Sequence, residues 1–123
     1  MAKNKQFSTT VDNLIKTWII LLRLEDWDIS WHIASQKADD VSADALAEVQ
    51  VESSIKWAHI TIGPEDRFKR EPDRSLQQVL IHELLHIKFA LIQPENLDTT
   101  EYRVQHQLID ELATVLDVIK SSN

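Results

Sequence analysis

Residues Ser75–Ile92 read SLQQVLIHELLHIKFALI, and this stretch decides the fold. Leu76, Val79, Leu80, Ile81, Leu84, Leu85, Ile87, Phe89, Ala90, Leu91 and Ile92 fall on nearly every side of a helix. A helix that is apolar all round belongs in a core. The pattern predicts a helix that starts near Asp73 or Ser75 and ends near Leu91 or Ile92, because Pro94 prevents its continuation. Three ionisable side chains, His82, Glu83 and His86, interrupt its middle. A buried carboxylate without a partner costs on the order of several kcal/mol, so this interruption needs a chemical reason.

The flanking segments supply the layers around that helix. Val11, Leu14, Ile15, Trp18, Ile19 and Leu22 recur at helical spacing, predicting a helix over about 10–24 with Ser8, Thr9 or Thr10 as its cap. Trp27, Ile29, Trp31 and Ile33 alternate with polar residues, and so do Ala47, Val49 and Val51; both are strand patterns. Between them, residues 35–45 are polar and read as a loop. Ser53 and Ser54 make a turn. Ile55 to Ile62 reads as a third strand, with Ala58, Ile60 and Ile62 on one face and Trp57, His59 and Thr61 on the other. Gly63 and Pro64 end it, and Glu65 to Arg74 reads as a connection. A last helix, capped by Asp98, Thr99 or Thr100, carries Val104, Leu108, Ile109, Leu112, Val115, Leu116 and Ile119. The expectation is a single α+β domain over 1–123. It has an N-terminal helix, about three strands in an antiparallel or mixed sheet, the His-bearing helix and a C-terminal helix.

Composition narrows the function. Of 123 residues, 43% are hydrophobic and 27% charged, the balance of a soluble globular protein. The net charge is -7, which argues against nucleic acid and against an anionic membrane surface as partners. No segment has the roughly 18 apolar residues of a membrane helix, and the first ten lack a signal-peptide core, so a cytoplasmic setting is expected. With no cysteine, thiolate metal sites and cysteine catalysis are excluded. A single glycine excludes Gly-rich phosphate loops.

What remains is metal chemistry on oxygen and imidazole ligands. His82 and His86 are one helical turn apart and project from one face, where both can hold one ion. Glu83 lies about 100° around the helix, beside the ligands rather than between them. This is the HExxH zinc pattern. Neutral imidazoles hold Zn2+ and leave a position for water, whose pKa drops to about 7. Glu83 then serves as general base, and later as general acid towards the leaving amine. Ligand type alone also admits manganese or iron.

A third ligand must come from downstream. The candidates are Glu95, Asp98, Glu101, His106, Asp110 and Glu111. A metzincin ligand set is excluded, because Ile87-Lys88-Phe89-Ala90-Leu91-Ile92 follows His86 without its Gly and third His, and the only Met is Met1. His106 is preferred: it flanks the apolar face marked by Ile109 and Ala113. Asp110, one turn on, can accept its other ring N–H. Glu101 is next, then Asp110 or Glu111.

His82-Glu83-Leu84-Leu85-His86, followed by the helix segment Tyr102 to Ala113, resembles the small zincin-like metallopeptidases, many of them encoded by bacteriophages and prophages. The likeness covers most of the chain, since the first helix and the three strands resemble the minimal zincin core. It implies hydrolysis of a peptide or protein substrate, without fixing an oligomeric state. Members of that group usually carry Glu at the third-ligand position; the matching segment here, Glu101 to Glu111, places His106 there. The resemblance also implies that an edge strand within Glu48 to Ile62 receives an extended peptide. His59, His32 and Tyr102 are possible hydrogen-bond donors to the transition state, against an ordinary surface role. The four tryptophans are read as core packing. The competing function is a non-catalytic module, for phage assembly or host interaction, that keeps its metal for folding.

Overall fold

The computed structural model describes residues 2–35, 45–92 and 99–121. Its elements run α1 (Ala2–Leu21), β1 (Asp28–Ile33), β2 (Ala47–Glu52), β3 (Trp57–Ile62), α2 (Glu65–Lys69), α3 (Leu76–Lys88) and α4 (Thr100–Ser121). The α+β order expected from the sequence is present. Most of the loop expected over 35–45 and the candidate ligands Glu95 and Asp98 lie outside the described residues.

The sheet is mixed, in the order β1-β3-β2. β3 is central, parallel to β1 and antiparallel to β2. Its residues Ala58, Ile60 and Ile62 are fully buried, as the alternation predicts for the strand covered on both edges. The strand starts two residues later than expected. Ser53–Ile55 form a 3-10 turn closed by Lys56 in the left-handed region (φ 51°), which throws Ile55 into solvent.

Both boundaries of α1 differ from the sequence reading for local reasons. α1 begins at Ala2, not near Thr10. Thr9 and Thr10 do not cap it; their hydroxyls donate to the carbonyls of Lys5 and Gln6 one turn back, a bond compatible with the helix interior. α1 ends in a Schellman motif. Leu24 N–H donates to Ile19 O and Arg23 N–H to Ile20 O, with Arg23 at φ 59° where glycine is more usual. The buried Leu24 then seals the turn. The stretch expected as a plain connection contains α2, a short polar helix whose Phe68 packs on Phe7.

α3 is the hub. It packs against α1, α4 and β2, and Val79 to Leu85 and Ile87 are buried. Each aliphatic side chain buried there contributes about 1.5–3 kcal/mol. Ser75 caps it by accepting from Gln78 N–H, and the regular helix stops at Lys88, leaving Leu91 and Ile92 exposed in a 3-10 turn. Two tryptophans tie α1 to its neighbours. Trp18 donates to Gln77 Oε1 at 3.0 Å and Trp31 to Asp12 Oδ1 at 2.8 Å. α4 is capped by Thr99, whose hydroxyl accepts from Tyr102 N–H. Its Ile109 and Ala113 are buried against α3, while Val104, Leu108, Val115 and Ile119 are half exposed on the far side.

Candidate metal centre

α3 and α4 run antiparallel, and their seam is polar at every fourth residue. Ser75 Oγ and Gln77 Nε2 donate to Asp117, and Gln78 Nε2 donates to Thr114 Oγ1 at 3.0 Å. One turn further along α3, His82 meets Asp110; one turn more, His86 meets His106, with ring centroids 5.2 Å apart. Each step of four up α3 is matched by a step of four back along α4. The two histidines of the motif are therefore successive rungs of one ladder, and His106 is set beside them by the same register.

His82, His86 and His106 each offer a ring nitrogen, and these three atoms lie within 4.8 Å of one another. The three imidazoles are close enough to hold a metal ion. The facing Nε2 atoms of His82 and His86 are 3.1 Å apart. Two ligands at about 2.0–2.1 Å from a tetrahedral ion stand roughly 3.3–3.4 Å apart, so the pair is spaced for an ion with little movement. On the far side of His82, Asp110 Oδ1 sits 2.7 Å from Nδ1. A carboxylate on Nδ1 directs Nε2 towards the ion. Asp110 is thus the partner of His82; its distance to His106 Nδ1, the pairing expected from sequence, is 3.9 Å.

Electrostatics keep His82 and His86 fit for ligation. Burial pushes His86 down to about 4, with the neighbouring His82 and His106 adding to the shift. Burial also lowers His82, against the pull of Asp110. Both are neutral at pH 7, the state in which imidazole binds metal. Burial pushes Glu83 up to about 8; Arg74 opposes this, and Glu48 and Asp110 reinforce it. Without an ion, Glu83 holds a proton at neutral pH. A dication beside it favours the carboxylate.

These groups line a cleft of about 630 Å³ whose walls are Ala45 to Val49 with Val51, Arg74, Val79, Tyr102 and the polar residues of α3 and α4. That volume lies in the range of small-ligand sites. Among the other expected third ligands, Glu101 and Glu111 are exposed, and Glu111 accepts from Gln107. Tyr102 lines the cleft, with its ring 6.2 Å from that of His106. His32 and His59 do not. They occupy the opposite, outer face of the sheet, since Ala58 and Ile60, on either side of His59, point into the core.

The chain matches no family model, no curated protein and no solved structure. The site is therefore read from its own geometry.

Arg74 and Glu48 are the cleft residues that sequence spacing does not single out. Arg74 precedes the cap of α3 and shares no helical face with Glu83. Glu48 alternates with the apolar residues of β2 and reads as an outward residue. The seam itself did leave a signal: Gln78, His82 and His86 form one polar column at a spacing of four, and His106, Asp110 and Thr114 form another.

Proposed function

We propose that this chain is a small zinc-dependent metallopeptidase whose ion is held by His82, His86 and His106, with Glu83 as its proton-transfer group. The observation that carries the reading is the convergence of three imidazoles next to a buried carboxylate in an open cleft. Bound there, zinc supplies Lewis acidity, polarising a carbonyl and making a water ready to lose its proton near neutral pH.

The chain's own groups divide the remaining work. Glu83, only 8% exposed, faces the cleft beside the imidazoles, where its carboxylate takes a proton from water and returns one to the leaving amine. Asp110 fixes the ring of His82 through Nδ1. β2 is an edge strand: β3 pairs with one side, and its other edge borders the cleft through Ala47 to Val49. An extended peptide adds to that edge by main-chain hydrogen bonds, laying its scissile bond over the histidines. Tyr102 stands on the opposite wall as a hydrogen-bond donor to the reacting carbonyl. The substrate class is thus a peptide or an unfolded protein segment. Among the described residues no helix is long and apolar enough to cross a membrane. A cytoplasmic site of action, the host's if the chain is phage-encoded, completes the proposal.

A metal kept only for folding is closed by four protein ligands. Here Asp110 is engaged on His82, and the cleft beside the imidazoles is open, which favours the catalytic reading. The test combines metal analysis with hydrolysis of an unfolded protein by wild type and Glu83→Gln. Wild type is expected to carry zinc and cleave, and Glu83→Gln to carry zinc and not cleave. Equal cleavage by both proteins would overturn the assignment.

A further inference from the structure

All five histidines of the chain fall into two clusters: three line the cleft, and two, His32 and His59, stand together on the outer face of the sheet. We propose that His32 and His59 form a second metal site, specific for a divalent transition ion that favours imidazole in tetragonal geometry, such as Ni(II) or Cu(II).

The parallel register of β1 and β3 builds the pair. Ser30 lies opposite His59 and His32 opposite Thr61, so both rings rise from the same face on adjacent strands. His32 Nδ1 and His59 Nε2 are 2.7 Å apart. That contact is a hydrogen bond between the two rings, which an ion would replace. On the other side of His59, Nδ1 is hydrogen-bonded to Ser30 Oγ at 2.7 Å. When Nδ1–H donates to that hydroxyl, the lone pair of Nε2 is directed at His32. This is the arrangement by which metal-bound histidines are held in one tautomer and one orientation. A second neutral tautomer, with the proton of His32 on Nε2, then presents two ring nitrogens to one ion, and no net proton needs to leave.

Spacing separates this site from the cleft. Two ligands about 2.0 Å from an ion and at a right angle stand roughly 2.8 Å apart, whereas a tetrahedral pair stands roughly 3.3 Å apart. The outer pair is closer, at 2.7 Å, than the His82–His86 pair, at 3.1 Å, so a right-angle pair of ligands needs less movement of the rings at the outer site than in the cleft. Imidazole with tetragonal geometry selects Cu(II) and Ni(II). Two protein ligands leave the other coordination positions to water or to a donor from another molecule.

The test is calorimetric titration of the chelator-stripped full chain with Ni(II) at pH 7.5, comparing wild type with His32→Ala/His59→Ala. Both substitutions are on the sheet surface and leave the core intact. Two equivalents are expected on wild type and one on the variant, with the lost site weakened more than a hundredfold. One equivalent on both proteins would overturn the outer site and leave the cleft site standing. Two on both would overturn it as well, by placing the second ion elsewhere. One on wild type and none on the variant would support the outer site and show that the cleft does not take Ni(II). No binding to either would refute the outer site.

Discussion

The two histidine clusters use the same side chain and differ in almost everything that sets its chemistry. In the cleft the rings are held by a helix–helix seam and joined by Glu83 and Asp110, and burial depresses the pKa of His82 and His86. On the sheet the rings come from two strands, lie near solvent, and have a hydroxyl, Ser30, where the cleft has a carboxylate. In the proposed reading ligand convergence is common to both, but only the cleft adds a buried carboxylate for proton transfer, an orienting carboxylate and an open wall. The difference between binding a metal and using one lies in those additions.

The largest expected effect separates use from binding. Glu83→Gln is expected to lower the hydrolysis rate about 10²–10⁴-fold while zinc content is unchanged, the range for loss of a general base. His32→Ala/His59→Ala is expected to leave that rate within twofold of wild type. If removing the outer pair reduced hydrolysis as strongly as removing Glu83, the contrast between the clusters would be lost.

A second break concerns the orienting groups. Asp110→Asn removes the charge 2.7 Å from His82 Nδ1. Zinc affinity at the cleft is expected to fall about 10–100-fold, as for other outer partners of metal-bound histidine. Ser30→Ala, the equivalent change on the sheet, is expected to weaken Ni(II) at the outer pair only severalfold, because a neutral hydroxyl contributes less than a carboxylate. Competition against a chelating dye measures both; a larger loss for Ser30→Ala would reverse the ranking.

A third test uses pH on the metal-free protein. Glu83, raised to about 8, keeps a proton in the folded chain that the unfolded chain releases from about 4.5 upward. Its contribution therefore weakens the fold as pH rises through that window. His86, lowered to about 4, acts oppositely: the unfolded chain takes up a proton below 6.5, so stability falls as pH drops towards 4. The two oppose one another between about 4.5 and 6.5, and above 6.5 only Glu83 remains. Melting temperature in chelator is expected to fall between pH 6.5 and 8.5, and Glu83→Gln is expected to flatten that fall. An unchanged slope in the variant would remove Glu83 from the buried position assigned to it.

The smallest effect lies far from both clusters. Arg23 occupies the left-handed position that ends α1. Arg23→Gly is expected to raise stability by about 0.5–1 kcal/mol through relief of that conformation, with no change in metal binding. A drop in melting temperature would mean that the arginine side chain contributes more than its backbone strain costs.

What was legible in the sequence follows from the range of each interaction. Helix periodicity and strand alternation are local, so α3, α4 and the inward faces of β2 and β3 could be read directly. His82, Glu83 and His86 share one turn and were equally legible. His106 was favoured by residue type and face, but its meeting with His86 depends on the antiparallel register of α3 and α4. So does the pairing of Asp110 with His82 rather than with His106. The parallel pairing of β1 with β3 skips a strand in sequence, and it placed His32 and His59 on the outer face, away from the reacting carbonyl for which they were considered. The early start of α1 was hidden because its first turns are polar, and α2 because it presents little besides Phe68 to the core.

The most direct test of the central claim is zinc per chain in His32→Ala/His59→Ala, followed by its melting temperature with and without chelator. In that variant only the cleft cluster remains. One zinc per chain is expected, and at a hundredfold excess of zinc over Kd the ion contributes about 2.7 kcal/mol, so chelation lowers the melting temperature by roughly 10 °C. A metal-free protein whose melting temperature responds to neither chelator nor added zinc would contradict the account.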